Sequence, residues 1–268
     1  MLPSCSDCGS LIRAVPLRST CCCRTTGGLA VLHSPAENEK AVIRGVAFDL
    51  EGTLVDLESI HHEAHLSAAK ESGVLLTWSE AMAKLPSFVG GPDEAVAREI
   101  ALLAGNAELL ATVFARKQVH FDRLLRKAQP LKTREGFQEV YNYLKRRGYP
   151  LAVGSVTPKA RASPLSRDAG LERMFELERM VFAEDIGEPK PSPAVYLETA
   201  RRLGIPATEQ LVFEDSVPGV RAAKAAGSQV VAIPTVWLPE YMKRLELAGA
   251  EKIFRSWQDV DCNGVLDL

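Results

Sequence analysis

Short apolar runs rich in valine and isoleucine alternate with helical patterns along most of this 268-residue chain. Five of these runs predict strands: VIRGVAFD from Val42, YPLAVGS from Tyr149, RMVFAED from Arg179, QLVFED from Gln210 and QVVAIP from Gln229. Strands this apolar are typical of a parallel sheet whose two faces are both covered by helices. The sequence therefore predicts an α/β fold, a doubly wound parallel sheet of Rossmann-like type.

A long helical stretch interrupts this alternation after the first strand. About 75 residues precede the next core helix, which is expected near Thr133, and none of them forms a convincing strand. Apolar residues recur there at helical spacing. We expect a smaller helical cap domain over residues 57–130, at the carboxyl edge of the sheet, where ligands bind in such folds. The core domain is then residues 41–56 and 131–260.

The two ends of the chain predict less structure. Residues 1–40 are expected to be an extension, because the first 28 hold Arg13, Arg18 and Arg24 against a single acid, Asp7. An acid-poor segment with arginine and serine is typical of an organelle transit peptide. A disordered tail, or a start site assigned too far upstream, fits equally well. The expected location is thus cytoplasmic, or organellar (mitochondrion or plastid). Residues 261–268 are expected to be a C-terminal tail.

Cysteine usage and charge exclude several classes of protein. Five of the six cysteines lie in the first 23 residues, so no disulfide framework holds the fold, which fits a reducing compartment. Cys5-x-x-Cys8 lacks the second pair that a zinc ribbon needs. A formal net charge of −2 indicates no nucleic-acid partner, and no apolar run approaches membrane-spanning length. We expect a monomer or homodimer.

Chemistry-bearing residues stand at the predicted strand ends. Asp49 ends the first strand with Glu51 two residues later, and Ser155 ends the second. Lys190 lies in the proline-rich loop EPKPSP, and Glu214-Asp215 closes the strand QLVFED. In a parallel sheet these points converge on one crevice. A carboxylate nucleophile, a hydroxyl, a cation and further acids suit phosphoryl transfer, which depends mainly on positioning and charge neutralisation.

Each of these residues alone also has an ordinary structural explanation. An aspartate after a strand is often a turn former, and Glu-Asp before a helix is a common cap. Their combined order and their placement at strand ends together indicate a catalytic site. Four segments resemble motifs of the haloacid dehalogenase superfamily, in the subgroup with a helical cap after the first strand: FDLEGTLVD, LAVGS, KPSP and LVFEDSVPGVRAAKAAG. The resemblance covers roughly residues 42–255, and the last motif is the most specific.

The resemblance implies a nucleophile and a phosphate-binding set. Asp49 would attack phosphorus and form an aspartyl-phosphate. Ser155 would donate to a phosphate oxygen, and Lys190 would neutralise the phosphate and lower the pKa of Asp49. The Gly52-Thr53 turn would contribute to phosphate binding.

The resemblance also implies Mg²⁺, which suits carboxylate and carbonyl oxygens. Its ligands would be Asp49, the backbone carbonyl of Glu51 and Asp215, with Glu214 close by or bound through water. The substrate would be a small phosphorylated metabolite.

Glu51 departs from the aspartate usual in phosphatases of this superfamily. The acid at this place protonates the leaving oxygen and then deprotonates the attacking water. Glutamate keeps the carboxyl group, and its ordinary pKa differs from that of aspartate by only about 0.4 units. Enolase-phosphatases of the same superfamily also carry glutamate here. We therefore expect a working hydrolase rather than a dehalogenase.

The predicted cap offers further candidates. His61 lies twelve residues after Asp49, at a place where related mutases and some phosphatases also have a histidine, and it would move a proton near neutral pH. His61 with His65 at i, i+4 is a weak metal candidate. Gly90 and Gly91 are expected in the substrate loop. Asp93 stands where hexose-phosphate mutases would have a basic residue.

Two alternatives to a phosphatase stay open. One is a sugar phosphomutase of the same fold, which a basic cap residue facing Asp49 would support. The other is a phosphate-binding protein with weakened catalysis, for which the altered Glu51 is the only support.

Overall fold

A parallel β-sheet forms the centre of the computed structural model, which describes residues 42–268. The predicted extension, residues 1–40, and its cysteine pair lie outside the described residues. Six strands are present within residues 42–268: β1 (Gly45–Phe48), β2 (Leu151–Gly154), β3 (Met180–Val181), β4 (Gln210–Glu214), β5 (Gln229–Ala232) and β6 (Lys252–Ile253). Their order is β3-β2-β1-β4-β5-β6, and every neighbouring pair is parallel.

Ten α-helices accompany the strands in this part of the chain. Four follow β1: α1 (Glu58–Glu71), α2 (Trp78–Lys84), α3 (Asp93–Leu103) and α4 (Leu110–Lys127). The others are α5 (Phe137–Arg146), α6 (Lys159–Asp168), α7 (Ala194–Leu203), α8 (Val217–Ala225), α9 (Pro239–Ala248) and α10 (Cys262–Leu266). The predicted doubly wound α/β fold is confirmed. Among the described residues, no helix has the length and apolar character that crossing a membrane requires.

Alternating residues of β1 pack into two different halves of the core, because successive side chains of a strand point to opposite faces. Val46 and Phe48 belong to one buried cluster and Ala47 to the other. The first cluster contains Phe48, Phe137, Phe213 and Trp257, whose rings contact one another in edge-to-face, tilted and stacked arrangements. Both faces of the sheet are thus buried, as the apolar strands predict.

Three elements differ from the sequence-based expectation. The run RMVFAED gives only the two-residue strand β3, because Ala183–Asp185 turns into a short 3₁₀ helix whose Asp185 carboxylate accepts the Phe182 N–H. Strand β6 was not predicted, since two residues are too few to show a period. Helix α2 was also missed, although Thr77 and Glu80 form a capping box at its start.

The predicted C-terminal tail packs against the core. Residues 261–268 contain α10, in which Val265 is buried at 1% exposure. Asn263 accepts a hydrogen bond from the Tyr143 hydroxyl at 2.5 Å. One buried valine and this side-chain contact are a weak signal in sequence. That residues 261–268 form a C-terminal tail outside the core domain stays a prediction.

Helices α1–α4, which we call the helical insertion (residues 57–130), lie between β1 and α5 in the chain. Helix α1 packs against α4, and α4 against α3. Val96, Ile100 and Val113 are fully or almost fully buried among them. That the insertion is a separate cap domain stays a prediction.

Candidate active site

A cavity of about 410 Å³ opens where the carboxyl ends of β1, β2 and β4 meet the helical insertion. The chain order of the sheet reverses next to β1, since β2 lies on one side and β4 on the other, and such switch points bind ligands in open α/β sheets. The cavity is lined by Asp49, Glu51, Glu58, His61, His65, Phe88, Gly90, Gly91, Pro92, Asp93, Ser155, Val156, Thr157, Pro189, Lys190, Asp215, Ser216 and Pro218.

Asp49 and Lys190 form a buried ion pair in this cavity. Asp49 follows β1 and is held by its backbone N–H, which donates to the Phe213 carbonyl of β4 at 2.9 Å. The Lys190 ammonium lies 2.5 Å from Asp49 Oδ1 and 2.5 Å from Glu214 Oε1. The lysine loop and two strand ends, far apart in the chain, therefore converge as predicted.

Glu214 is fully buried, and protein donors engage both of its carboxylate oxygens. Oε1 accepts from Lys190 and from the Tyr196 hydroxyl at 2.6 Å. Oε2 accepts from the backbone N–H groups of Asp215 and Ser216 at 2.9 and 3.0 Å, and from the Ser216 hydroxyl. This carboxylate fixes Lys190 and the start of α8 in one arrangement.

Asp215 packs against the turn that follows Asp49. Its Oδ1 accepts from the Thr53 hydroxyl at 3.1 Å. Gly52 has φ +90°, and a Cβ there would lie 2.2 Å from Asp215 Oδ2. Only glycine satisfies both the left-handed backbone and this close approach. The Gly52-Thr53 turn thus has a role in positioning Asp215, whereas its predicted contact with phosphate stays a prediction.

Asp49, Glu214 and Asp215 each offer a carboxylate oxygen within 4.8 Å of the others. Burial raises the pKa of Asp49 to about 7, because the lowering effect of Lys190 does not offset burial and the neighbouring Glu214 charge. Burial and the charges of Glu214 and Asp49 likewise raise the pKa of Asp215 well above its usual range. Two of these buried carboxylates, Asp49 and Glu214, pair with the Lys190 ammonium, and Asp215 adds a third. This excess of carboxylate ligands fits a hard divalent cation such as Mg²⁺.

Glu51 lies between a hydroxyl and an imidazole. Its Oε1 accepts from the Thr157 hydroxyl at 2.6 Å, and its Oε2 lies 3.4 Å from His61 Nε2. Burial alone would raise the pKa of Glu51, but the contacts with His61 and Thr157 outweigh it and lower the pKa. The longer glutamate side chain therefore reaches the cavity and is held there.

His61 lies within reach of two carboxylates and one ammonium. Its Nδ1 is 3.4 Å from Asp93 Oδ1 and 2.9 Å from the Lys117 ammonium, opposite the Glu51 contact at Nε2. Burial lowers the pKa of His61, but hydrogen bonds to Asp93 and Glu51 more than compensate and raise it above its ordinary value. His61 and Glu51 together can therefore hold and move one proton near neutral pH.

Ser155 lies at the end of β2, is 2% exposed and lines the cavity. Its backbone N–H donates to the Val181 carbonyl, and its hydroxyl accepts a hydrogen bond from the Thr157 N–H at 3.1 Å. Gly90 also lines the cavity, with φ +65°. A Cβ at Gly90 would lie 2.1 Å from the Tyr241 hydroxyl, so close packing on α9 is one reason for glycine in this loop. Gly91 lines the cavity beside it.

Sequence reasoning missed four residues that build this site: Thr157, Lys117, Tyr196 and Arg134. The Arg134 guanidinium donates to the carbonyls of Gly52 and Ile233, both at 2.6 Å, and to that of Pro234 at 3.2 Å. It thereby ties the turn after Asp49 to the segment after β5. Thr157 is two residues after Ser155 and was the easiest to find; the other three have no local pattern that marks them.

The chain matches the family model of haloacid dehalogenase-like hydrolases over residues 43–227. It is 31% identical to the phosphorylated carbohydrates phosphatase of Thermotoga maritima, over 69% of this chain and 82% of that protein. It is 32% identical to the fructose-1-phosphate phosphatase YqaB of Escherichia coli, over 70% and 95% of the two chains. The crystal structure of a haloacid dehalogenase family hydrolase from Deinococcus radiodurans, with bound phosphate and sodium, is also similar, with a TM-score of 0.67 and 26% identity over 85% of this chain and 97% of that one.

Proposed function

The chain belongs to the haloacid dehalogenase-like hydrolases and is a hydrolase of phosphoric monoesters. On this premise we propose that it is a Mg²⁺-dependent phosphatase of small phosphorylated carbohydrates. The observation that carries the proposal is the buried Asp49 carboxylate, which lines the cavity beside Lys190, Glu214 and Asp215. The substrate class is supported by the two curated relatives, which are named as phosphatases of phosphorylated carbohydrates and of fructose 1-phosphate.

Asp49 is proposed as the nucleophile. One of its oxygens bonds to phosphorus while the bond from phosphorus to the ester oxygen breaks, which leaves an aspartyl-phosphate. Ser155 and Lys190 bind the phosphate oxygens. Lys190 is suited to this role because it lies 2.5 Å from the Asp49 carboxylate and is only 7% exposed.

Glu51 is proposed as the general acid and base. It gives its proton to the departing alcohol oxygen in the first step, with His61 as the neighbouring proton store. In the second step Glu51 takes a proton from water, whose oxygen attacks phosphorus and releases inorganic phosphate and the Asp49 carboxylate. The contacts of Glu51 with Thr157 and His61 hold it at the cavity wall.

Mg²⁺ would be held by Asp49, Asp215 and the backbone carbonyl of Glu51, with Glu214 close by. When bound, the ion supplies positive charge that stabilises the phosphoryl oxygens during transfer. The donor set supports this assignment, since three buried carboxylates lie close together and the Lys190 ammonium pairs with only two of them, Asp49 and Glu214.

Within residues 42–268, no lysine or arginine of the helical insertion lines the cavity, so the mutase alternative gains no support there. Lys117 of the insertion is fully buried and pairs with Asp93. A phosphate-binding protein without turnover also gains no support, because Glu51 keeps its carboxyl group at the cavity.

The test is phosphate release from a panel of phosphorylated metabolites, with Mg²⁺ and with EDTA. We expect Mg²⁺-dependent release from one or more sugar monophosphates, and none from the Asp49→Asn variant. Asp56→Asn is the matched control, since this aspartate is exposed and lies outside the cavity lining. Release by Asp49→Asn near the wild-type rate would contradict the proposal.

A further inference from the structure

Charged side chains are unevenly distributed around the cavity. Within residues 42–268, Lys190 is the only lysine or arginine that lines it, and its ammonium pairs with Asp49 and Glu214. The helical insertion contributes two carboxylates to the lining, Glu58 and Asp93. Among the described residues, the helical insertion therefore lines the cavity with acids and with His61 and His65, but with no lysine or arginine to receive a second anion.

Lys117 is the cation that could have filled that role. It lies on α4 with a side chain that is 0% exposed, and its ammonium pairs with Asp93 Oδ2. The same ammonium contacts His61 Nδ1 at 2.9 Å and lies 4.7 Å from the centre of the Phe121 ring. Asp93 lines the cavity and Lys117 does not, so the carboxylate keeps this positive charge behind the cavity wall.

Asp93 is held firmly in this position. It is the first residue of α3, and besides Lys117 it accepts hydrogen bonds from His65 Nε2 and Gln118 Nε2, both at 3.1 Å. Charge-assisted contacts of this kind fix a carboxylate in one geometry. An ion pair with this many partners does not open readily to release Lys117 toward a ligand.

Resting on the proposed phosphatase function, we propose that Asp93 is a specificity-determining residue that limits the enzyme to substrates with one phosphate. It does so in two ways: it retains the Lys117 ammonium outside the cavity, and it adds a carboxylate to the cavity lining. A second phosphate would lose its hydration and meet Glu58 and Asp93 in the lining, with no lysine or arginine of the helical insertion to pair with it. Rejection of a competitor by an unfavourable charge contact is a common route to specificity.

The same lining defines what the rest of the substrate should be. Glu58 and Asp93 bring carboxylate acceptors suited to hydroxyl groups to the lining, while Phe88 and Pro92 offer apolar surface to a carbon skeleton. Among described residues, Glu58 is 17% exposed and Asp93 24% exposed at the side chain, so both can reach a ligand. The substrate class is therefore the monophosphate ester of an uncharged, polyhydroxylated compound, a sugar or a polyol.

The same residues also resemble a metal site, since His61, His65 and Asp93 each offer a ligand atom within 4.8 Å of the others. Lys117 already supplies a positive charge to His61 and Asp93 in this group. A metal ion at that point would meet the ammonium at close range. We therefore infer that these residues hold the Lys117 ammonium in place and do not bind a metal ion.

The experiment compares kcat/KM for fructose 1-phosphate and fructose 1,6-bisphosphate in wild type and in Asp93→Asn. Wild type should prefer the monophosphate. Asp93→Asn should lower the ratio of kcat/KM for the monophosphate to kcat/KM for the bisphosphate by about tenfold or more, mainly through a lower KM for the bisphosphate. Glu94→Gln is the matched control, because Glu94 is 62% exposed and pairs with Arg98 on the outer surface of α3. Its ratio should equal that of wild type.

Binding is measured in parallel by calorimetry with Asp49→Asn protein, Mg²⁺ and the same two ligands. If no monoester is hydrolysed, the phosphatase proposal fails. The role of Asp93 is then still decided by the ratio of the affinities for the monophosphate and the bisphosphate, compared between Asp49→Asn and the double variant Asp49→Asn with Asp93→Asn. If Asp93→Asn does not fold, Glu58→Gln removes the other carboxylate and should shift the ratio in the same direction. A wild type that accepts the bisphosphate as well as the monophosphate, or a ratio unchanged in both variants, would overturn the inference.

Discussion

The carboxylate of Glu214 occupies the space that a side chain on Gly219 would need. A Cβ at Gly219, inside α8, would lie 1.7 Å from Glu214 Oε1. Helix α8 therefore packs directly on the carboxylate that holds Lys190 and Tyr196. The glycine in the motif LVFEDSVPGV is explained by this contact.

Gly219→Ala should impair the site although it favours the helix. Alanine is the better helix former by about 0.8–1.0 kcal/mol, so local propensity alone would predict a more stable protein. The new methyl group must instead displace Glu214, and with it Lys190. We expect phosphate release to fall by about a hundredfold, the usual cost of a displacement near 1 Å. Steady-state kinetics checks this, with circular dichroism to verify folding; an unchanged rate would show that the contact is not required.

Glu51→Gln should lower the rate by about 10²–10⁴-fold, the usual contribution of a general acid or base. Glu51→Asp keeps the carboxyl group and should retain or raise the rate. Both variants are assayed against an alkyl phosphate, whose leaving oxygen needs a proton. Complete loss in Glu51→Asp would mean that the longer side chain, held by Thr157 and His61, is essential.

Arg134→Met should weaken both the fold and the metal site. The guanidinium donates to three backbone carbonyls, and hydrogen bonds from a charged group contribute about 1.5–3 kcal/mol. We expect the free energy of unfolding in urea to fall by that amount, and the Mg²⁺ concentration for half-maximal activity to rise because the Gly52 turn loosens. Arg126→Met, on the exposed end of α4, is the control. An unchanged Mg²⁺ requirement would contradict the positioning role.

Trp257→Phe should destabilise the core. The indole N–H donates to the Thr53 carbonyl at 3.0 Å, and leaving that buried acceptor unpaired costs about 1–3 kcal/mol. Urea unfolding measures the change. Trp237→Phe is the matched control, since this tryptophan is 44% exposed and should change stability by less than about 0.5 kcal/mol. Equal effects of the two substitutions would show that the Thr53 contact contributes nothing.

The family, the fold and the location of the cavity could be predicted from sequence because they depend on local patterns. Asp49, Ser155 and Glu214 stand at or directly after strands that the apolar runs mark clearly. In a parallel sheet those ends must lie on one edge, so their convergence follows from topology. Lys190 was found because its proline-rich loop matches a motif.

The rest of the site depends on contacts that no local pattern shows. Lys117 is a buried lysine, a rare occurrence, and its partner Asp93 lies 24 residues earlier. Tyr196 reads in sequence as an ordinary apolar position of α7, yet its hydroxyl bonds to Glu214. Arg134 binds carbonyls up to 100 residues away. Such pairings are fixed by tertiary packing.

Mass spectrometry of acid-quenched protein tests most directly whether Asp49 carries the phosphoryl group. Glu51→Gln enzyme is mixed with Mg²⁺ and an aryl phosphate, whose leaving group needs little protonation, so the first step proceeds while hydrolysis of the intermediate is slow. We expect one added phosphoryl group on the peptide that contains Asp49, and none when Asp49→Asn is combined with Glu51→Gln. Turnover without a phosphorylated peptide, or phosphate attached to another residue, would contradict it.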